Sequence, residues 1–246
     1  MHRGFFWTLL ALAVAASPAR AQSAWSDRAY VDVNAMYQLT ATTFDGSAHP
    51  IDFGEAATVD TSYRVKAAPG FDVGGGVRLW RNLGIGVSGS RFTKTNGAAV
   101  DAQVPHPFYF NRARSVSGDA SGLKREETAV HLRALWMIPA TERWQIGVSG
   151  GPSWFSVRQD LVDDVKITQS YPYDTATFAG VASRRVSRSR IGFNAGADVS
   201  YLFARHVGVG ADVRFTRARM RFPSGSDTLS VDAGGARLAA GLRLRF

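Results

Sequence analysis

The chain has 246 residues and a formal net charge of +9, and it contains no cysteine. The absence of cysteine excludes a disulfide framework and a thiolate metal site. The positive charge alone would suit a nucleic-acid partner. The lysines and arginines are, however, scattered over strand-like segments without a nucleic-acid motif, so we expect no such partner.

The first residues have the features of a secretory signal peptide. Arg3 supplies a positive charge, an apolar stretch follows, and Ala19 and Ala21 form a small-x-small cleavage site. The apolar stretch is about 12 residues long, shorter than the roughly 20 that a membrane-spanning helix needs. The sequence therefore predicts a signal peptide over residues 1–21, with an uncleaved membrane anchor as the alternative. No later run is long enough for a spanning helix, so any membrane crossing must use strands.

Alternating hydrophobicity begins after this segment. The first strand is predicted over residues 29–39, with Val31 and Val33 facing lipid and Asp32 facing the interior. A polar connection follows over residues 41–57. Side chains alternate between the two faces of a strand, so one face of this strand is apolar and the other polar.

The second strand is less regular. Residues 59–65 form its predicted outer part and residues 71–80 its membrane part, with a bulge or break expected at Pro69-Gly70. A tight turn at Arg81-Asn82 then leads directly into the third strand. This hairpin is the strongest short-range signal inside the chain.

The later segments keep a rhythm of short and long connections. That rhythm is typical of an all-β, antiparallel up-and-down transmembrane β-barrel with long external loops, formed here by residues 22–246 as one domain. We count eight strands, and ten if the long connections hide another hairpin. The remaining strands are predicted over residues 83–88, 127–138, 144–157, 191–203 and 207–215 and in a last strand ending at Phe246, with long connections over residues 96–123 and 159–187.

The final residues, 238–246, alternate between apolar side chains and small or cationic ones and end on an aromatic residue. With the signal peptide and the hairpin over residues 71–87, they resemble the small outer-membrane β-barrel domains of Gram-negative bacteria similar to the barrel of outer-membrane protein A. This resemblance implies a location in the bacterial outer membrane and recognition of the last strand by the barrel-assembly machinery. The predicted assembly signal comprises Leu242, Leu244 and Phe246.

Charges of both signs fall on the predicted inner face. An eight-stranded barrel leaves room for little more than side chains, so we expect a salt-bridge network that plugs the interior, with a narrow gated ion path as the alternative. The predicted interior charges are Asp32, Asp72, Arg78, Arg133, Asp198, Asp212, Arg214, Arg237 and Arg243.

Cationic residues gather near the predicted external strand ends. Arginine binds phosphate in a bidentate manner, so part of this rim is predicted to contact outer-membrane lipid and the phosphates of lipopolysaccharide; a generic solvated rim is the alternative. The predicted lipopolysaccharide-facing residues are Arg91, Lys94, Arg185, Arg217 and Arg219, and the wider group adds Lys124, Arg125, Arg184, Arg188, Arg190 and Arg221.

Aromatic residues mark two loops, at residues 107–110 and 171–173. We expect them to pack over the barrel mouth, with a binding patch as the alternative. Catalytic signals are weak: His131 lies on a predicted inner face without a motif linking it to a serine. The sequence therefore predicts a non-enzymatic protein without cofactor or metal, with a structural or surface-contact role and a loop partner that it does not identify. A lipid-modifying enzyme or a narrow pore is the alternative.

Overall fold

The computed structural model describes residues 25–224 and 227–246, and every regular element in them is a β-strand. Within these two ranges no helix is long and apolar enough to span a bilayer. The strands are β1 (Ala29–Gln38), β2 (Thr42–Ala48), β3 (Ile51–Asp52), β4 (Glu55–Ala56), β5 (Thr58–Val65), β6 (Ala68–Trp80), β7 (Leu83–Pro105), β8 (Ala113–Pro139), β9 (Trp144–Gln169), β10 (Ala176–Leu202), β11 (Val207–Ser224) and β12 (Asp227–Arg245).

Eight of these strands close into a ring. The order is β1, β6, β7, β8, β9, β10, β11 and β12, all neighbours are antiparallel, and β12 returns to β1. The closing register runs from Tyr30 opposite Arg245 to Gln38 opposite Arg237. The prediction of an eight-stranded up-and-down barrel is confirmed.

Two shorter strands extend the ring beyond β1 and β6. Strand β2 follows β1 after three residues and pairs with β5, which in turn pairs with β7. The break between β5 and β6 lies at residues 66–67 rather than at Pro69-Gly70, so the predicted position is wrong. Pro69 is accommodated within β6 because it pairs with Tyr37 on one side, whereas the pairing with β7 on the other side begins only at Gly70.

The long external loops expected from the sequence are mostly strand. Strand β7 continues to Pro105 and β8 begins at Ala113, so the expected loop over residues 96–123 shrinks to a turn at residues 106–112. The expected loop over residues 159–187 likewise becomes a hairpin turning at residues 170–175. Both expectations are wrong because the strands continue beyond the membrane half with the polarity of their two faces exchanged.

This exchange divides the barrel into two halves. In the membrane half, which holds both described ends of the chain, the outward side chains are apolar and exposed, as lipid contact requires. Each strand contributes such a residue: Val33, Val73, Val87, Leu132, Val148, Val199, Val213 and Leu238.

In the distal half the apolar side chains point inward and form one core. A transmembrane strand needs about 9–11 residues, so the two longest strands, β8 and β10, with 27 residues each, extend beyond the bilayer by a distance on the order of 30–40 Å. Polar side chains cover the outside of this part, and its core is buried. Each strand contributes to that core: Phe44, Val59, Val100, Val116, Leu161, Val186, Phe222 and Val231.

An exposed aromatic belt marks the membrane boundary near the chain ends. Aromatic rings are favoured at this level because they combine an apolar body with a polar or polarisable edge. The belt comprises Trp80, Trp136, Trp144, Phe203 and Phe246.

Candidate functional site

The interior of the membrane half is organised around Asp72, which is fully buried. Its Oδ2 accepts hydrogen bonds from Arg237 at 3.2 Å and from Arg214 at 3.4 Å, and its Oδ1 accepts one from Asn34. Arg214 also contacts Asp212 at 3.3 Å. The Asp72 carboxylate on β6 thus interacts with two arginines of the inner face, one on β11 and one on β12.

Two further groups of charges complete this interior. The Arg133 guanidinium lies 3.6 Å from the Asp32 carboxylate and donates to the Tyr30 hydroxyl. Arg243 pairs with Asp198. All of the predicted interior charges except Arg78 and Asp198 are nearly or fully buried. Arg78 lies at the membrane boundary, where its guanidinium donates a hydrogen bond to the Trp25 carbonyl.

The interior has little free space. A Cβ atom added at Gly74 would overlap Asp32 and Arg133, and one at Gly86 would lie 2.7 Å from the Tyr30 hydroxyl. The small residues on the inner face are therefore required to admit the large charged side chains.

Sequence reasoning missed two residues, Trp25 and Arg245, that close the end of the barrel at which the described part of the chain begins and ends. Trp25 is 1% exposed, lies against Gly84 inside the ring and is held by a backbone hydrogen bond to the Asn82 side chain. Arg245 lies over the Tyr30 ring at 4.8 Å. A lone tryptophan before the first strand could have suggested a plug, whereas nothing in the alternation separates Arg245 from other inward arginines.

His131 is fully buried between two serines. Its Nδ1 lies 2.7 Å from the Ser153 hydroxyl and its Nε2 lies 3.1 Å from the Ser90 hydroxyl. Asn194 donates to Ser153 at 2.9 Å. The arrangement satisfies the imidazole on both sides and leaves it no exposed surface at which a substrate could bind.

Most of the predicted rim residues form ion pairs. Arg91 lies 3.6 Å from Glu126, Arg185 lies 2.8 Å from Asp160, and Arg217 lies 2.7 Å from Asp232, which Arg219 shares at 3.6 Å. The Arg185 hydrogen bond, above all other causes, holds the pKa of the Asp160 carboxyl below its ordinary value. Carboxylates thus neutralise most of the predicted rim.

Two cations assigned to the rim lie elsewhere. Arg125 is 2% exposed and pairs inside the barrel with Glu127 at 3.2 Å. Lys94 lies opposite Arg125 on the inward register of β7 and is half-buried. Their assignment to the outer surface was wrong because we placed the strand ends too early and took inward positions for loop positions.

The turns at the far end of the distal half bring aromatic rings together in a group that we call the distal tip: Phe108, Tyr109, Phe110, Tyr171 and Tyr173. Phe108 and Tyr173 meet edge-to-face at 5.5 Å, and Tyr171 meets Tyr173 at 6.1 Å. Phe108, Tyr109, Phe110 and Tyr171 are each more than half exposed. The expectation that these segments pack over the barrel mouth is therefore wrong for these four rings.

Buried polar residues hold the distal tip in place. The His106 Nδ1 accepts hydrogen bonds from the backbone N–H groups of Phe108 at 3.1 Å and Tyr109 at 3.3 Å. Arg114 donates to the Pro105 carbonyl at 2.7 Å and to the Tyr173 carbonyl at 3.0 Å, and so joins the two turns. Burial lowers the pKa of the Arg114 guanidinium from its ordinary value. Neither His106 nor Arg114 was singled out for this position from the sequence.

The remaining predicted residues take the following places. Leu242 and Phe246 are more than half exposed on the lipid-facing side of β12, with Leu244 on the same side, and the Phe246 backbone pairs with that of Ala29. The cleavage residues Ala19 and Ala21 lie outside the described residues. The described residues contain no group of His, Cys, Asp or Glu side chains suited to a metal ion.

Several solved structures are similar to this chain at low sequence identity. OprG from Pseudomonas aeruginosa is 12% identical, with 92% of this chain and 99% of that chain covered and a TM-score of 0.49. Neisserial surface protein A is 15% identical, with coverages of 89% and 97% and a TM-score of 0.45. The outer membrane protease OmpT from Escherichia coli is 10% identical, with coverages of 92% and 99% and a TM-score of 0.43. No curated protein matches the chain in sequence.

The family model described as an outer membrane protein beta-barrel domain matches residues 7–246. This match includes all eight strands of the ring and both halves of the barrel. The protein is accordingly a component of the bacterial outer membrane. The chain belongs to the outer membrane protein β-barrel domain family.

Proposed function

We propose that this protein is a non-enzymatic surface-contact protein that uses its distal half as a rigid extension and its distal tip as the contact site. The observation that supports this proposal most strongly is the exposure of four aromatic rings on turns fixed by buried His106 and Arg114. Exposed aromatic patches are costly in water, and they are typical of surfaces that bind other molecules.

The interior favours this function over a pore. The charges in the membrane half form hydrogen-bonded pairs, Trp25 fills the end near the chain termini, and an apolar core fills the distal half. We expect no steady single-channel openings in planar bilayers. Regular openings whose conductance changes in an Arg133→Ala variant would establish the ion path instead.

The burial of the Ser90–His131–Ser153 group supports a non-enzymatic role. Nucleophilic catalysis requires a serine that the substrate can reach. We expect incubation with labelled lipid A or phospholipid to give no turnover above background. Turnover that disappears in a His131→Gln variant would replace the contact function with a lipid-modifying one.

The contact function is tested on intact cells. Cells producing the wild type are compared with cells producing a variant in which Phe108, Tyr109, Phe110 and Tyr171 are all changed to Ser. The matched control is Gln103→Ala with Ser115→Ala, two exposed residues on the side of the distal half. Equal amounts of folded barrel are verified by heat-dependent gel mobility. Attachment is then measured on surfaces coated with extracellular-matrix protein, with polysaccharide and with the same cells.

We expect the wild type and the control to attach to at least one of these surfaces several-fold better than cells without the protein. The tip variant should fall to the level of those cells, because the rings supply the contact area. Equal attachment of wild type and tip variant on every surface would contradict the proposal.

A further inference from the structure

Strands β10 and β11 separate in the distal half. They pair from Leu202 opposite Gly208 up to Phe193 opposite Arg217. Beyond that point, residues 176–192 of β10 pair only with β9, and the described residues of β11 from 218 onward pair only with β12. A gap in the backbone pairing, which we call the β10–β11 seam, therefore begins where the membrane half ends.

Two arginines of β10 lie at this seam. Arg188 and Arg190 pair with Val157 and Phe155, and directly opposite residues of an antiparallel pair share one face of the sheet. Val157 and Phe155 are buried on the inner face, yet Arg188 and Arg190 are exposed. Since no strand pairs with β10 on its other side at this level, these two side chains reach solvent at the seam instead of entering the core. Arg221 of β11 is exposed across the seam.

These three arginines differ from the other cations of the same region. Arg184, Arg185 and Arg217 each form an ion pair, at 2.9, 2.8 and 2.7 Å. Arg188 donates only to the neighbouring Ser187 carbonyl. Among residues 25–224 and 227–246, as far as their side chains are described, no carboxylate lies within ion-pair distance of Arg188, Arg190 or Arg221.

The seam lies at the level of lipid headgroups. Ile191 is 78% exposed directly beside Arg190, and Phe193 and Phe215 continue the lipid-facing surface below it. At about 3.3 Å per residue, Arg188 and Arg190 lie within roughly 10 Å of the last lipid-facing side chains. Three unpaired guanidinium groups at this depth match an anion with several acceptor oxygens, and a phosphate group accepts the bidentate hydrogen bonds that arginine donates.

We propose that Arg188, Arg190 and Arg221 form a phosphate-binding site in the β10–β11 seam, and that its occupant is a phosphorylated lipid headgroup of the outer leaflet. The exposed Ile191 beside the arginines favours this source over a soluble phosphate, because the acyl part of a lipid would cover its side chain. These three arginines belong to the wider cationic group predicted from the sequence, whereas Arg185 and Arg217 of the predicted lipopolysaccharide-facing residues are already paired with carboxylates.

The test compares two triple variants of the full chain in detergent micelles. The first changes Arg188, Arg190 and Arg221 to Gln, and the second changes Arg184, Arg185 and Arg217 to Gln. Both remove three positive charges from the same side of the barrel, so a general electrostatic attraction would weaken equally in both. Folding is checked by heat-dependent gel mobility. The probes are lipid A, dephosphorylated lipid A and inorganic phosphate.

We expect wild type and the second variant to bind lipid A similarly, within about threefold, and the first variant to bind it at least about tenfold more weakly. Dephosphorylated lipid A should bind the wild type as weakly as lipid A binds the first variant. An equal loss of lipid A affinity in both variants would show that lipid A is attracted by the general positive charge of this side of the barrel, and would overturn the proposal. Inorganic phosphate binding as tightly as lipid A would overturn the lipid source.

If the three arginines had only a structural role, the first variant would behave differently. Arginines on an unpaired strand edge also prevent edge-to-edge association. Unchanged lipid A binding by the first variant, together with its self-association in micelles, would show that Arg188, Arg190 and Arg221 protect the edge of β10 and would overturn the phosphate site.

Discussion

Strands β7 to β12 run through both the membrane half and the distal half, and yet the two halves place charge and apolar surface in opposite positions. In the membrane half, Asp72 and its arginine partners lie inside and Val213 lies outside. In the distal half, Phe222 lies inside and Arg221 lies outside on the same strand, β11. The surrounding solvent decides the assignment, because lipid excludes unpaired charges whereas water excludes apolar side chains.

The difference also separates two sources of stability. Polar pairing must be complete in the membrane half, since each buried charge without a partner carries a desolvation cost. Close packing must be complete in the distal half, since its core resembles that of a soluble protein. The first three substitutions below are therefore each matched with a control variant that leaves these two requirements intact.

The largest effect is expected for Asp72→Ala. The change leaves Arg214 and Arg237 buried without their shared carboxylate, and we expect the free energy of unfolding to fall by about 3–5 kcal/mol. Urea unfolding in lipid vesicles measures it. The control is Asp119→Ala on the exposed face of β8, which should change little. Identical urea midpoints for the two variants would show that the interior pairs are dispensable.

A slightly smaller effect is expected for Phe222→Ala, which removes a fully buried ring from the distal core. The cavity should destabilise the distal half by about 3 kcal/mol and expose it to protease while the membrane half stays folded. Phe215→Ala on the same strand removes a ring that faces lipid and should leave protease resistance unchanged. Cleavage of both variants at one rate would contradict a packed distal core.

An intermediate effect is expected for Gly74→Ala. The added methyl group meets Asp32 and Arg133, and overpacking should reduce the free energy of unfolding by about 1–3 kcal/mol. At Gly89 nothing lies within 4 Å of an added Cβ atom, so Gly89→Ala is the control. The same urea titration compares them. An equal response at both positions would indicate that the interior has room to spare.

The smallest effect is expected for the ion pair between half-buried Asp160 and exposed Arg185. Because the pKa of Asp160 is lowered in the folded protein, its contribution is present above the ordinary carboxyl pKa and is lost as the pH falls through the lowered value. We expect Asp160→Asn to cost at most about 1 kcal/mol at neutral pH and nothing in strong acid. Unfolding measured from pH 7 to pH 2 checks this, and a difference between wild type and variant that grows on acidification would contradict the sign.

The sequence predicts the membrane half well because its outward face is apolar and continuous. It underestimates the distal half because an apolar outer face no longer marks the strand there. On the outer face of β11, Phe215 is followed by Arg217 and Arg219 rather than by another apolar residue. On the inner face of β11, apolar residues continue at every second position through Ala218, Met220 and Phe222. The two-residue repeat alone would therefore have extended the predicted strand.

Other features depend on distances across the ring that no local pattern contains. The sharing of Asp72 by Arg214 and Arg237 joins β6 to β11 and β12 across the interior. The β10–β11 seam is likewise invisible in the alternation of either strand, since Arg188 keeps an inward register position and is nevertheless exposed.

Amide hydrogen exchange in lipid vesicles tests the central claim, that the distal half is a packed continuation of the barrel. The informative residues are 113–123 of β8 and 159–169 of β9, where the sequence alone predicts long loops. Our account predicts that their amides are protected for hours, comparable to residues 130–138 in the membrane half, because they lie in paired strands over an apolar core. Exchange of both segments within seconds, with residues 130–138 still protected, would show that the distal half is a set of mobile loops and would contradict the account.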